Sequence, residues 1–219
     1  HPFFSSAASD VYKGQLLYNA IFMGAAGLAF MVQPQNTGKD ETIILKNSKL
    51  LPRHFSLNKD DLVLDVHTEA HSNHTPTKLV ANIVKGRMGL TVNNALHIYA
   101  GNIIFSGDCV DCDVSVTRSA LELTLYSGSL FWQNASAQGE SHAPSLWTFK
   151  KDRKKGFTLE SAPLAQNDIQ KYKAWRRNQI IFDKTTLSDA TALLNRYTTR
   201  PVRIASTRLA QAHVSGTFG

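Results

Sequence analysis

Short apolar runs separated by turn-forming residues dominate the chain between Thr42 and Trp132. Leu121, Leu123 and Leu125 alternate with polar residues, and this period of two is typical of a strand with one buried face. No run of helical period interrupts this stretch, which disfavours a parallel sheet built from alternating strands and helices. The pattern therefore predicts a mainly β protein, with an antiparallel β-sandwich-like domain over residues 34–165.

The predicted strands of this domain are short, and pairs of turn-forming residues separate them. We place strands at 42–45, 55–57, 62–66, 79–84, 90–92, 96–99, 103–105, 114–116 and 121–126. The separating turns are predicted at Lys85-Gly86, Asn93-Asn94, Gly101-Asn102, Gly107-Asp108 and Ser127-Gly128.

The pattern changes near residue 166, and a small α/β unit is predicted over 166–219. A helix at 171–177 leads into a strand at 179–182, and apolar residues at helical spacing then predict an amphipathic helix over 187–197. Two further strands are predicted at 202–205 and 214–218.

A hydrophobic run at 16–32 stands apart from both predicted domains, inside an N-terminal segment over 1–33. Its 17 residues reach the lower bound for a membrane-spanning helix, which needs about 17–25 residues. Three interpretations stay open: a single-pass membrane anchor, a core segment of a soluble fragment, or the apolar part of a secretory signal.

The charge balance is basic, with 24 Lys and Arg residues against 17 Asp and Glu and a formal net charge of +7. Such a charge would attract nucleic acid, an anionic lipid surface or an acidic protein. The two basic clusters, at 150–155 and at Arg176-Arg177, lie in no helix-turn-helix or aromatic RNA-binding motif. We therefore expect no nucleic-acid partner.

The only two cysteines, Cys109 and Cys112, are spaced like a redox pair, but turn-forming residues precede them and a β-like run follows. We expect them at the tip of a hairpin. A disulfide in an oxidising compartment and two free thiols are both consistent with this spacing. A zinc site would need two further ligands, which no second cysteine pair supplies.

A metal site is also conceivable at His67, His71 and His74, whose spacings would place them on one face of a helix. However, the following residues, 72–76, have loop composition, so we expect no metal there. No hydrolase or phosphate-binding motif occurs, and we expect no enzyme activity, cofactor or small-molecule substrate. An alternative function is a β-domain that binds a carbohydrate or another ligand through Trp132, Trp147 or Trp175.

The C-terminal motifs resemble those of the FecR family of sigma-factor regulators. The shared features are the run from Trp175 to Phe182, the segment Leu194-Asn195-Arg196-Tyr197 and the closing run from Val214 to Phe218. Central segments around 84–92 and 98–130 resemble the family more loosely.

The resemblance implies a periplasmic module of a regulator that is anchored in the inner membrane by a helix such as 16–32. It also implies that the small α/β unit is similar to the secretin/TonB short N-terminal domain. The implied partner is the N-terminal signalling domain of a TonB-dependent outer-membrane transporter, whose siderophore occupancy is relayed to an extracytoplasmic-function sigma factor. Measured against the family, we expect the anti-sigma domain to be missing and the last domain to be incomplete.

The expected partner surface is the C-terminal unit, because its sheet edge is open for an added strand and its arginines would attract an acidic domain. The predicted contact residues are Gln179, Ile181, Arg196, Arg200, Arg203, Val214, Ser215 and Thr217.

Overall fold

The structure, a computed structural model, describes residues 42–57, 59–150 and 158–219. The hydrophobic run at 16–32 and most of the basic cluster at 150–155 lie outside these residues. No helix within the described ranges is long and apolar enough to cross a membrane.

Within the described residues, ten antiparallel strands form one large, branched sheet, which confirms the prediction of a mainly β, antiparallel fold. They are β1 (Thr42–Lys46), β2 (Arg53–Leu57), β3 (Asp60–Leu64), β4 (Glu69–Thr75), β5 (Lys78–Ala100), β6 (Ile103–Val116), β7 (Ala120–Gln133), β8 (Gln138–His142), β9 (Ser145–Lys150) and β10 (Thr158–Pro163). The order along the main path is β1-β4-β5-β6-β7-β9-β10.

Three long central strands, β5, β6 and β7, organise this sheet. The sheet branches because the two halves of β5, and likewise of β7, pair with different strands. β5 pairs with β4 over 78–85 and with β3 over 88–91, while β6 lies along its other side from Gly86 onward. β7 similarly pairs with β9 over 120–125 and with β8 over 129–133. Side chains from β1 to β7 and from β9 meet in one continuous apolar cluster, whose largest fully buried member is Phe105.

Most of the predicted turns are bends and bulges inside these long strands. Gly86 lies within β5 and Gly128 within β7, with φ of +91° and +83°, conformations that favour glycine. Asn93-Asn94 lies at a register shift in β5, and Gly107-Asp108 lies within β6 beside another shift. The residue types that favour turns also favour bulges, so the sequence divided single long strands into several. Of these five predicted turns, only Gly101-Asn102 connects two strands.

The predicted loop after His71 is also wrong, because residues 69–75 form β4 and pair on both sides, with β1 and with β5. Pairing with two neighbours overrides the weak strand preference of a segment rich in Ser, Asn and His.

The C-terminal unit begins with a 3-10 helix at Gln166–Asp168, helix α1 (Ile169–Lys173) and a second 3-10 helix at Ala174–Arg177. It continues with β11 (Ile180–Thr186), α2 (Leu187–Leu194), α3 (Thr207–Ala210) and β12 (His213–Phe218). β11 and β12 pair antiparallel. The Thr186 hydroxyl caps α2 by accepting from the Asp189 amide.

The predicted strand at 202–205 is not formed: these residues are irregular and pair with no strand of the described structure. Asn195 instead holds the start of this segment, since its side chain exchanges two hydrogen bonds with the backbone of Val202. These bonds satisfy both backbone groups of Val202 without a partner strand.

Candidate functional site

A buried carboxylate on β6, Asp113, lies where the C-terminal unit packs on the large sheet. Its side chain is only 2% exposed. The neighbouring position on β5 is Gly89, and a Cβ there would lie 2.5 Å from Nε of Arg176. Glycine at this position therefore leaves the space through which the Arg176 side chain reaches Asp113.

Four side chains bind Asp113, and both of its oxygens are occupied. Arg176 donates from Nε to Oδ1 at 2.8 Å. Oδ2 accepts from an Arg87 Nη2 at 2.6 Å, from the Tyr126 hydroxyl at 2.8 Å and from the Trp175 Nε1 at 2.7 Å. Two of these donors belong to strands of the sheet, Arg87 to β5 and Tyr126 to β7. The other two, Trp175 and Arg176, belong to the 3-10 helix at 174–177. The arrangement fixes the C-terminal unit to the sheet.

Charge keeps Asp113 ionised in this buried place. Burial on its own raises the pKa of Asp113, but the guanidinium charges of Arg87 and Arg176 and the hydrogen bonds from Trp175 and Tyr126 outweigh it. The net result is a pKa below the ordinary value for aspartate. With four donors bound, this carboxylate is suited to holding the two parts together.

A second carboxylate, Asp111, widens this network toward the surface. Arg176 donates from Nη1 to Asp111 Oδ1 at 2.9 Å and to the Thr91 hydroxyl at 3.2 Å, and Lys173 binds the other Asp111 oxygen. The Arg176 Nη2 also donates to the carbonyl of Cys112 at 2.7 Å. Arg176, which belongs to one of the two basic clusters of the sequence, is therefore a buried structural residue.

A separate ion pair joins the end of α2 to the sheet. The fully buried Asp65 accepts from Arg196 Nη2 at 3.2 Å and from the Tyr197 hydroxyl at 3.1 Å. Burial and the nearby Asp65 charge raise the pKa of Tyr197 to about 12. Two residues of the segment at 194–197, Arg196 and Tyr197, thus bind Asp65 near the large sheet. Arg196 was predicted to contact a partner protein, but it already pairs with Asp65 of its own chain.

A cleft of about 260 Å³ lies between these two ionic contacts. It is lined by Arg87 of β5 and by residues of the C-terminal unit: Lys171, Tyr172, Trp175, Gln179, Ile180, Ile181, Leu193 and Tyr197. The predicted contact residues Gln179 and Ile181 belong to this cleft.

The remaining predicted contact residues lie apart from the cleft. Val214, Ser215 and Thr217 are on β12, where Thr217 is opposite Ile181 and the Ser215 hydroxyl accepts from the amide of Lys184. Arg200 and Arg203 are exposed in the irregular segment between α2 and α3. The structure thus divides the predicted surface into a cleft, a strand and a basic segment.

Cys109 and Cys112 do not form a hairpin tip, because both lie within β6. Cys109 is exposed, with φ of +49° at the bulge, and Cys112 is fully buried. Both thiols are free: Cys109 is exposed to solvent, and Cys112 lies in the core. Burial raises the pKa of Cys112 well above its ordinary value.

The tryptophans offer little support for a carbohydrate platform. Trp132 and Trp175 are each 5% exposed, and Trp147 is partly buried against Trp132 and Phe149. Within 42–57, 59–150 and 158–219, no group of three His, Cys, Asp or Glu side chains is placed to hold a metal.

Sequence reasoning missed Asp113, Asp111 and Asp65. A signal was present in β6, where Asp111 and Asp113 interrupt the apolar run from Val110 to Val116 with the period of a strand. Carboxylates in a buried strand require partners, and Arg87 and Arg176 were the available cations.

Comparison by sequence gives no relative: no protein-family model and no curated protein matches the chain. Comparison by structure does. Two crystal structures of a candidate anti-sigma factor from Parabacteroides distasonis, determined at 1.65 and 2.50 Å resolution, match the fold of this chain. The TM-scores are 0.59 and 0.58, the identity is 11% in both, and the matches cover 80% and 81% of this chain and 84% of the other. At this identity, the finding is that the chain shares the fold of these Parabacteroides distasonis proteins.

Proposed function

We propose that this chain is the sensor part of a sigma-factor regulator and acts by binding another protein. The observation that carries the proposal is the shared fold, over 80% of the chain, with proteins described as anti-sigma factors. The FecR-like motifs at 175–182 and 214–218 support the same assignment from the sequence. The Asp113 cluster fits a structural role for this carboxylate, because two of its donors come from the sheet and two come from the C-terminal unit.

The proposed partner is the N-terminal signalling domain of a TonB-dependent transporter, met in the periplasm and involved in siderophore uptake. Charge supports a partner of acidic surface. Residues 166–219 contain nine Lys and Arg residues against three Asp and no Glu, so this quarter of the chain accounts for most of the net +7. Arg200 and Arg203 are exposed and make no ion pair with any described residue, so they are available to such a partner.

The proposed contact is the two-stranded sheet of the C-terminal unit. Among the described strands, β11 and β12 pair only with each other, so the outer edge of each has unpaired backbone groups. Phe218 on β12 is 49% exposed, and Val202 and Leu209 nearby in sequence are each 50% exposed. A strand added by the partner would pair the free edge and bury apolar surface at the same time.

A capture experiment tests the function. The immobilised chain is exposed to purified signalling domains of TonB-dependent transporters from the same source organism, and binding of one domain is the expected result. A glycan array provides the control for the alternative ligand class. Retention of no signalling domain, together with saturable glycan binding, would replace the proposal by the carbohydrate-binding alternative.

A further inference from the structure

The cleft beside the Asp113 cluster has the size of a side-chain site. Its volume of about 260 Å³ is below the range of roughly 300–1,000 Å³ that is usual for pockets holding drug-sized molecules. It lies where the first domain, through Arg87, faces α1, β11 and α2 of the C-terminal unit. An occupant would therefore contact both parts of the molecule at once.

Three polar side chains of the cleft wall, those of Arg87, Trp175 and Tyr197, are engaged by other residues of the chain. Arg87 binds Asp113 and the carbonyl of Tyr172, and its guanidinium lies 4.5 Å from the centre of the Trp175 ring. The Trp175 Nε1 donates to Asp113, and the Tyr197 hydroxyl donates to Asp65. What these residues leave for an occupant is hydrocarbon and ring surface. Ile180, Ile181 and Leu193, all partly exposed, add aliphatic surface.

One cation at the cleft, the ammonium group of Lys171, has no ionic partner among the described residues. Lys171 is partly exposed, and its ammonium group makes no hydrogen bond or ion pair with any residue in the described ranges. Lys173, two positions along the same helix, binds Asp111 instead. The side-chain amide of Gln179 and the hydroxyl of Tyr172 also line the cleft without a side-chain hydrogen bond to a described residue.

We propose that this cleft is an anchor site for the partner protein, and that it receives one large apolar side chain, preferably aromatic, next to a carboxylate. The apolar wall would bury the side chain, and Lys171 would pair with the carboxylate. The surplus of positive charge over 166–219 favours an acidic peptide as the occupant. The inference rests on the proposed function in one respect, since it takes the occupant to be part of a protein partner.

Blocked dipeptides test the site without any partner protein. The full chain, labelled with ¹⁵N, is titrated with N-acetyl-Phe-Asp-amide, N-acetyl-Phe-Asn-amide and N-acetyl-Ala-Asp-amide, and amide and indole resonances are followed. We expect Trp175 and Ile181 to shift with the Phe-Asp peptide. We also expect this peptide to bind about twofold to fivefold more tightly than the Phe-Asn peptide, the range of an exposed ion pair. The Ala-Asp peptide should give no saturable shift.

Two substitutions locate the charge preference. Lys171→Gln should abolish the preference for the Phe-Asp over the Phe-Asn peptide. Gln179→Glu should lower the affinity for the Phe-Asp peptide by about the same twofold to fivefold factor. Lys184→Gln is the matched control, because it removes the same charge from the same unit at an exposed position outside the cleft. The control should bind both Phe peptides as the unsubstituted chain does.

The proposal is overturned if the cleft resonances stay unchanged at about 10 mM peptide. It is equally overturned if Lys184→Gln reduces the preference as much as Lys171→Gln does, since the effect would then be one of net charge. A signalling domain that binds normally while the peptides fail would place the partner contact elsewhere and leave the proposed function standing. If the peptides bind while no signalling domain binds, the cleft stands as a side-chain site and the proposed function is overturned.

Discussion

Replacing Asp113 by Asn should destabilise the protein more than any other single charge removal at this junction. The substitution keeps the shape of the side chain and one acceptor oxygen, but it removes the negative charge that faces Arg87 and Arg176. Both guanidinium groups would stay largely buried, with side chains 17% and 9% exposed, and the remaining carboxylates would be Asp65 near Arg87 and Asp111 beside Arg176.

The expected loss is about 3 kcal/mol of unfolding free energy. Removing one partner of a buried ion pair costs roughly 3–5 kcal/mol, because the remaining charge is left without compensation. Asn retains part of the hydrogen bonding to Trp175 or Tyr126, which places the effect at the lower end of this range. Asp111→Asn is the matched control. Asp111 is more exposed, so its loss should cost about 1 kcal/mol.

Urea unfolding followed by tryptophan fluorescence measures both variants, and the pH dependence adds a second test. Because the pKa of Asp113 is lowered in the folded state, its stabilisation is present above about pH 4, the ordinary aspartate value, and is lost as the pH falls further. The difference between the unsubstituted chain and Asp113→Asn should therefore shrink below pH 4. Equal losses in the Asp113 and Asp111 variants at pH 7 would refute the central position given to Asp113.

Three further predictions follow from other parts of the fold. Tyr197→Phe should cost about 1 kcal/mol in chemical unfolding, because buried Asp65 loses a hydrogen-bond donor; no loss would mean that this bond does not stabilise the junction. Gly86→Ala should cost more than 2 kcal/mol, since the new Cβ would lie 2.6 Å from the Cα of Thr68, whereas Gly101→Ala, which meets open space, should cost about 1 kcal/mol. Iodoacetamide should label Cys109 in the native protein and Cys112 only after unfolding, as mass spectrometry would show; protection of both until reduction would indicate a disulfide.

The fold class could be predicted because alternation along strands such as Leu121–Leu125 is a local property of the sequence. Strand lengths could not. Gly86, Asn93 and Gly128 favour turns as much as they favour bulges, and only long-range pairing between β5, β6 and β7 decides between the two.

The candidate site was predictable only in part, for a related reason. Gln179 and Ile181 follow from the position of β11, but the ionic contacts join residues far apart in sequence, such as Arg176 with Asp113 and Arg196 with Asp65. A sequence displays Arg196 and Arg176 as basic residues of the C-terminal unit. It does not display the buried carboxylates that bind them, because those depend on how the unit packs on the sheet.

Binding to a transporter signalling domain is the central claim, and calorimetry at two salt concentrations tests it most directly. The chain is titrated with the signalling domain that it captures, beside the charge reversals Arg200→Glu and Arg203→Glu, with Lys59→Glu at an exposed residue next to β3 as the control. We predict that each reversal in the C-terminal unit weakens binding several-fold at low salt and flattens its salt dependence, while Lys59→Glu leaves both unchanged. Unchanged affinity and salt dependence in both arginine variants would contradict the claim that this basic unit is the partner surface.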